Sequence, residues 1–87
     1  MCNKKYKLEK IEEFKHHNPI YDDMLGATCY LAYFNVGERG LFLYDMHDWF
    51  SVPHRVQTSI VKDVQYTRGN QVIVTTQNTR FTFEVII

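Results

Sequence analysis

Residues 3–17, NKKYKLEKIEEFKHH, are the stretch on which the fold turns. Leu8, Ile11 and Phe14 recur at three-residue spacing, which gathers them on one side of a helix and leaves Glu9 and Glu13 on the other. The spacing predicts an amphipathic helix over residues 1–18. Asn3 is a suitable N-cap, and Asn18 stands before Pro19, whose ring pushes the preceding residue out of the α region and so ends the helix. Lys4 and Lys5 oppose the helix dipole in the first turn, while His16 and His17 suit its negative end.

From Ala27 onward β-branched and aromatic runs alternate with turn residues at short intervals, the pattern of a small barrel or sandwich. Strands are expected at about 27–36, 41–46, 58–67, 71–77 and 80–86. A turn at Gly37-Glu38-Arg39-Gly40 would set Val36 against Leu41 and Phe34 against Leu43. A three-residue loop, Arg68-Gly69-Asn70, pairs Val64 with Val74 and Tyr66 with Val72, provided that Asn70 accepts a left-handed conformation. A two-residue loop at Asn78-Thr79 pairs Val74 with Phe83 and Val72 with Val85. The expected fold class is α+β, mainly β: an N-terminal helix followed by a five-stranded antiparallel meander that closes into a small SH3-like barrel. An open sheet with the helix on one face is the rival. The domain organisation is a single domain, 1–87, with the helix at 1–18, a hinge at 16–25 and the meander at 26–87.

The 87 residues allow one hydrophobic core. An apolar fraction of 45% with 15% aromatics marks a globular chain, not a disordered one. Ten basic residues balance ten acidic ones, so no overall field draws in phosphate backbones or anionic lipid, and nucleic acid is not favoured. Two cysteines, Cys2 and Cys29, fall short of a disulfide framework and fit a reducing, cytoplasmic location. There is no signal-peptide pattern, and no apolar run approaches the ~20 residues needed to span a bilayer, so membrane insertion is not expected.

The residues show no catalytic constellation, and the expectation is no enzyme, no cofactor and no metal. Asp45, His47 and His54 could in principle hold zinc, but their spacing repeats no familiar ligand set, and solvated loop histidines are the plainer reading. Cys29 reads as a small core residue, and Ser51 and Ser59 lack a nucleophile elbow. The stretch that stands out is HDWFSVPHR, residues 47–55. Trp49 and Phe50 sit side by side with His54 and Arg55 nearby, a composition found at interface hot spots. These four are the candidate partner-binding residues, with the alternative that Trp49 folds back as a lid on the core. The run Cys29-Tyr30-Leu31-Ala32-Tyr33-Phe34 is apolar on both faces, which helix cover or an interface with a partner or second copy would explain.

The segments HRVQTSIVKDV and VIVTTQNTRFTFEVI, with Thr58-Ser59-Ile60-Val61 ahead of a Thr76-Gln77-Asn78-Thr79 hairpin, resemble short uncharacterised proteins of phages and mobile elements of Gram-positive gut bacteria. The resemblance covers about half the chain and rests on strand and turn residues. It implies an adaptor or an anti-defence inhibitor, for example of a CRISPR effector. The sequence reading is therefore a non-enzymatic protein-binding module whose partner is a host protein or a second copy of itself. The alternatives are a small-ligand-binding protein, or a nucleic-acid-binding barrel with Tyr30, Tyr33, Tyr44, Trp49 and Phe50 stacking on bases and Arg39, Arg55, Arg68 and Arg80 on phosphates.

Overall fold

The computed structural model describes residues 5–45 and 54–86. Six strands run in sequence: β1 Tyr6–Glu13, β2 Thr28–Tyr33, β3 Arg39–Asp45, β4 His54–Tyr66, β5 Gln71–Thr76 and β6 Thr79–Val85. A single helical turn, α1 Ile20–Met24, lies between β1 and β2. Each strand pairs antiparallel with the next and β1 returns to β6, so the sheet closes into a barrel in chain order. The expected α+β fold with an N-terminal helix over residues 1–18 is overturned, because that segment contains a strand and the described chain is nearly all β. The barrel has six strands, not the five of the expected meander.

A bulge accounts for the difference. Tyr6 and Leu8 point inward with the alternation of a strand, and the register against β6 then shifts between Leu8 and Lys10. One extra residue lets Ile11 face the interior opposite Phe81. A period of two plus one bulged residue is three, the same spacing that a helix produces. Helical preference among Lys, Leu and Glu amounts to a few tenths of a kcal/mol per residue, whereas burying a leucine is worth about 1.5–3 kcal/mol. Tertiary burial therefore decides the matter, and Leu8 is completely buried.

The β1–β6 seam has seven register pairs, but β1 meets β2 at only two, Tyr6 with Cys29 and Lys7 with Thr28. Beyond them the connection that carries α1 covers the gap. Leu8 donates its amide to the Ala27 carbonyl at 3.1 Å and accepts one from Gly26 at 2.7 Å. Met24 is buried in the core, and Tyr21 stands edge-on to Phe81 with centroids 5.5 Å apart.

The core is built around three phenylalanines. Phe42 meets Phe81 and Phe83 edge-on, with both centroid distances 5.4 Å, a geometry worth about 0.5–1.5 kcal/mol per pair beyond area burial. Phe34 lies over Gly40, where an added Cβ would come within 2.5 Å of the ring. The Gly40 amide donates to the Thr58 hydroxyl at 2.9 Å, so this close approach of backbone and ring requires glycine.

The hairpins match the sequence to different degrees. Val64 opposes Val74 and Tyr66 opposes Val72, with Asn70 left-handed at φ 61°, as the three-residue loop requires. In the last hairpin Val72 opposes Phe83 and Val74 opposes Phe81, two residues away from the expected register. The turn is held by Thr76, whose hydroxyl donates to the Thr79 carbonyl at 2.9 Å and accepts the Thr79 amide at 3.1 Å. A shift of two leaves every side chain on its own face. In the first hairpin Tyr30 opposes Leu43 and Tyr33 opposes Leu41, with an irregularity between Leu31 and Tyr33, so the pairs Val36–Leu41 and Phe34–Leu43 do not form. The intervening loop docks instead on β4: Gly37 donates to the Val61 carbonyl and Val61 to the Glu38 carbonyl.

Phe83 is fully buried and its neighbour Thr82 is half-buried on the opposite side of the strand. Phe83→Ala is expected to cost about 3–5 kcal/mol and Thr82→Ala less than about 1 kcal/mol. Urea melts of the two variants check the assignment, and equal costs would refute the faces described.

Candidate functional site

The inward-facing side chains pack into one apolar core, and the described charged side chains lie outside it. On β3 the buried residues Phe42 and Tyr44 alternate with Leu41 and Leu43, which therefore point outward. Strand pairing lines these up with their neighbours: Tyr30, Leu43 and Arg55 form one row, and Tyr33, Leu41 and Gln57 the next. Arg39 stands two residues before Leu41, so strand alternation places it on the same surface, while the register shift of this pairing falls on β4, between Gln57 and Ile60. Tyr33, Arg39, Leu41, Arg55 and Gln57 together line a hollow of about 430 Å³.

Arg39 and Arg55 are exposed, and neither guanidinium has a hydrogen bond or ion pair to a described residue. Tyr33, 44% exposed, donates its hydroxyl to the Glu38 carboxylate, and Asn35 donates to the same oxygen at 3.4 Å. The hydrogen bond to Glu38 holds the Tyr33 phenol proton and raises its pKa above 10.0. Two planar cationic forks, a fixed phenol, an amide and a leucine floor can grip an anionic group next to an apolar one.

Other charged clusters are engaged among themselves. Glu12 takes Lys10 at 2.8 Å and Arg80 at 3.1 Å, and these cations hold its carboxyl below the ordinary value. Arg80 also stands over the Phe14 ring at 5.7 Å. His17 bridges Asp22 at 3.0 Å and Glu13 at 3.2 Å, and the hydrogen bond its ring donates to Asp22, followed by the charges of both carboxylates, raises its pKa above 6.5. A wider hollow of about 730 Å³ lies against the β1–β6 face, but Glu9 there accepts from Gln71 at 3.0 Å and Lys10 is bound to Glu12. No three His, Cys, Asp or Glu side chains among the described residues converge as metal ligands. Nor is any helix among them long and apolar enough to cross a membrane.

Of the four sequence candidates, Trp49 and Phe50 lie outside the described residues. His54 begins β4 opposite Tyr44, and its side chain is likewise outside the description. Arg55 falls on the exposed face. Tyr44, named as a stacking platform, is instead buried in the core, and Arg80 is committed to Glu12. Sequence reasoning missed Arg39, Leu41 and Gln57 as partners of Arg55. The alternation of residues 39–45 and 55–59 carried the signal, but a register was needed to join the two strands.

The fold and site thus define a small closed antiparallel barrel with an apolar core and an outer arginine–tyrosine–leucine face. Comparison with protein families, curated proteins and solved structures finds no match to this chain.

Two consequences of these charges can be measured. Glu84 hydrogen-bonds Glu9, and the proximity of the second carboxylate raises the Glu84 pKa above 4.5. A carboxyl raised on folding contributes stability that is full below the unfolded value and is lost as pH rises through the folded one. Glu84→Gln should therefore melt higher than the parent at pH 7, and the difference should disappear below about pH 4, near the unfolded value. His17 is raised likewise, so its contribution is present below pH 6.5 and fades through its higher folded pKa. An NMR titration of the His17 ring should give a midpoint above 6.5. A midpoint at or below that value would show that the bridge to Asp22 and Glu13 does not form.

Proposed function

We propose that the protein is a non-enzymatic protein-binding module that uses the outer face of β2, β3 and β4 to engage a partner protein. The observation that carries this reading is the gathering of Tyr33, Leu41, Arg39 and Arg55 around one exposed hollow, with both arginines unengaged by described residues. Tyrosine and arginine over an apolar floor are the groups enriched where truncation costs about 2 kcal/mol or more of binding. Trp49 and Phe50 fall in the sequence between β3 and β4, and they belong to the same proposal as Arg55 and His54. The resemblance to phage and mobile-element proteins makes a host protein in a reducing cytoplasm the partner of choice, and an anti-defence inhibitor the role.

The test places a photo-crosslinking side chain at Gln57 on the face and, separately, at Lys7 on β1, and recovers adducts from a bacterial host lysate. A defined protein adduct is expected from Gln57 and not from Lys7. With that partner purified, Arg55→Ala should weaken binding by about tenfold while leaving the melting curve unchanged. Adducts from Lys7 alone would refute the assigned face. In parallel, single- and double-stranded DNA and RNA at physiological salt should show no submicromolar binding, since the chain has no net positive charge. Tight, steeply salt-dependent binding in a fluorescence titration would favour the nucleic-acid reading instead.

A further inference from the structure

The contact face carries enough pattern to specify what it receives. Arg55 stands opposite Leu43 on the neighbouring strand, and Arg39 lies four residues before Leu43 on β3. At about 3.3 Å of rise per residue the two arginines are roughly 13 Å apart along the strand direction, with Leu41 midway between them. An extended chain shows every second side chain on one face, so its residues i and i+4 are also about 13 Å apart and i+2 falls halfway.

Resting on the proposed function, we propose that the face receives an extended acidic segment of the partner protein, with Asp or Glu at i and i+4 and an apolar residue at i+2. The two carboxylates meet Arg39 and Arg55, and the apolar side chain covers Leu41. Charge complementarity commits the choice. Both guanidinium forks lack a partner among the described residues, and carboxylates match their planar donors in pairs. Glu38 stands at the rim, but it is engaged by the Tyr33 hydroxyl and Asn35 rather than by either arginine. A nucleic-acid strand suits the face less well. Its phosphates repeat without an apolar group between them, whereas Leu41 forms the floor, and the chain as a whole carries no net charge. Exposed charge pairs are screened, so the contact should weaken with salt.

The probes are three blocked peptides, Gly-Glu-Ser-Leu-Ser-Glu-Gly, its Gln-for-Glu analogue and its Ser-for-Leu analogue, together with a short single-stranded DNA. Each is titrated into the isotopically labelled protein. The acidic leucine peptide is expected to shift the amide signals of Arg39, Leu41, Arg55 and Gln57, and both analogues to shift them at least fivefold less at equal concentration. Arg39→Gln and Arg55→Gln should each cut the response by about five- to tenfold without moving the melting curve. Equal shifts from the Gln analogue, stronger shifts from the DNA, or no shift at millimolar peptide would overturn the acidic assignment. The crosslinked partner separates this failure from failure of the contact face. A partner that crosslinks through Gln57 but binds Arg39→Gln and Arg55→Gln as tightly as the parent overturns the acidic segment and leaves the face standing. A partner found only through Lys7 removes both.

Discussion

The pairing of β1 with β6 is the constraint on which the rest of the structure depends. β6 carries Phe81 and Phe83, the centre of the core, and its second edge would otherwise present open amides and carbonyls. β1 occupies that edge and brings Leu8 opposite Phe83 and Ile11 opposite Phe81, so one set of ladder bonds both satisfies the backbone and covers the aromatic cluster. Closure also gives α1 its place. The β1–β2 pairing is too short to seal the barrel, and the turn that carries Tyr21 and Met24 fills what remains.

The same bulge explains what could and could not be read from the chain. The hairpin of β4 and β5 was legible because its faces alternate without interruption near the loop and Asn70 accepts a positive φ. The last hairpin was legible in its faces but not in its register. Gln77-Asn78 and Asn78-Thr79 are both acceptable loops by residue type, and the choice is made by the buried Thr76 hydroxyl bonding Thr79. β1 was not legible, since a single bulge turns strand spacing into helix spacing and its Lys and Glu residues are good helix formers. Similar irregularities, one in β2 between Leu31 and Tyr33 and two in β4, between Gln57 and Ile60 and between Val61 and Asp63, interrupt the two-residue period of two further strands.

Those irregularities also shape the candidate site. Arg39 and Leu41, separated only by the buried Gly40, line one hollow by plain alternation, and the shift between Leu31 and Tyr33 brings Tyr33 to its edge. Arg55 was visible in the sequence as an arginine near two aromatic residues. Its neighbours were not, because Arg39 precedes it by sixteen positions and only the β3–β4 register makes them adjacent. Bulges bend and twist a strand without ending its pairing, which suits a small barrel that must turn sharply and still present an ordered outer surface.

The zero net charge acquires a meaning once the charges are located. On β1 and β6 Lys10 and Arg80 converge on Glu12 and neutralise it, while Glu9 accepts from Gln71 and repels the charged form of Glu84. On β3 and β4 Arg39 and Arg55 form no ion pair with a described acid, Glu38 beside Arg39 being engaged by Tyr33 and Asn35. A balanced total therefore conceals an uneven distribution, in which one side of the barrel uses charge to hold its strands and the other leaves it available. An exposed ion pair contributes little to stability, so keeping two arginines out of such pairs costs the fold little. Their guanidinium groups remain open to an incoming carboxylate, and Leu41 between them supplies the apolar contact that charge alone does not.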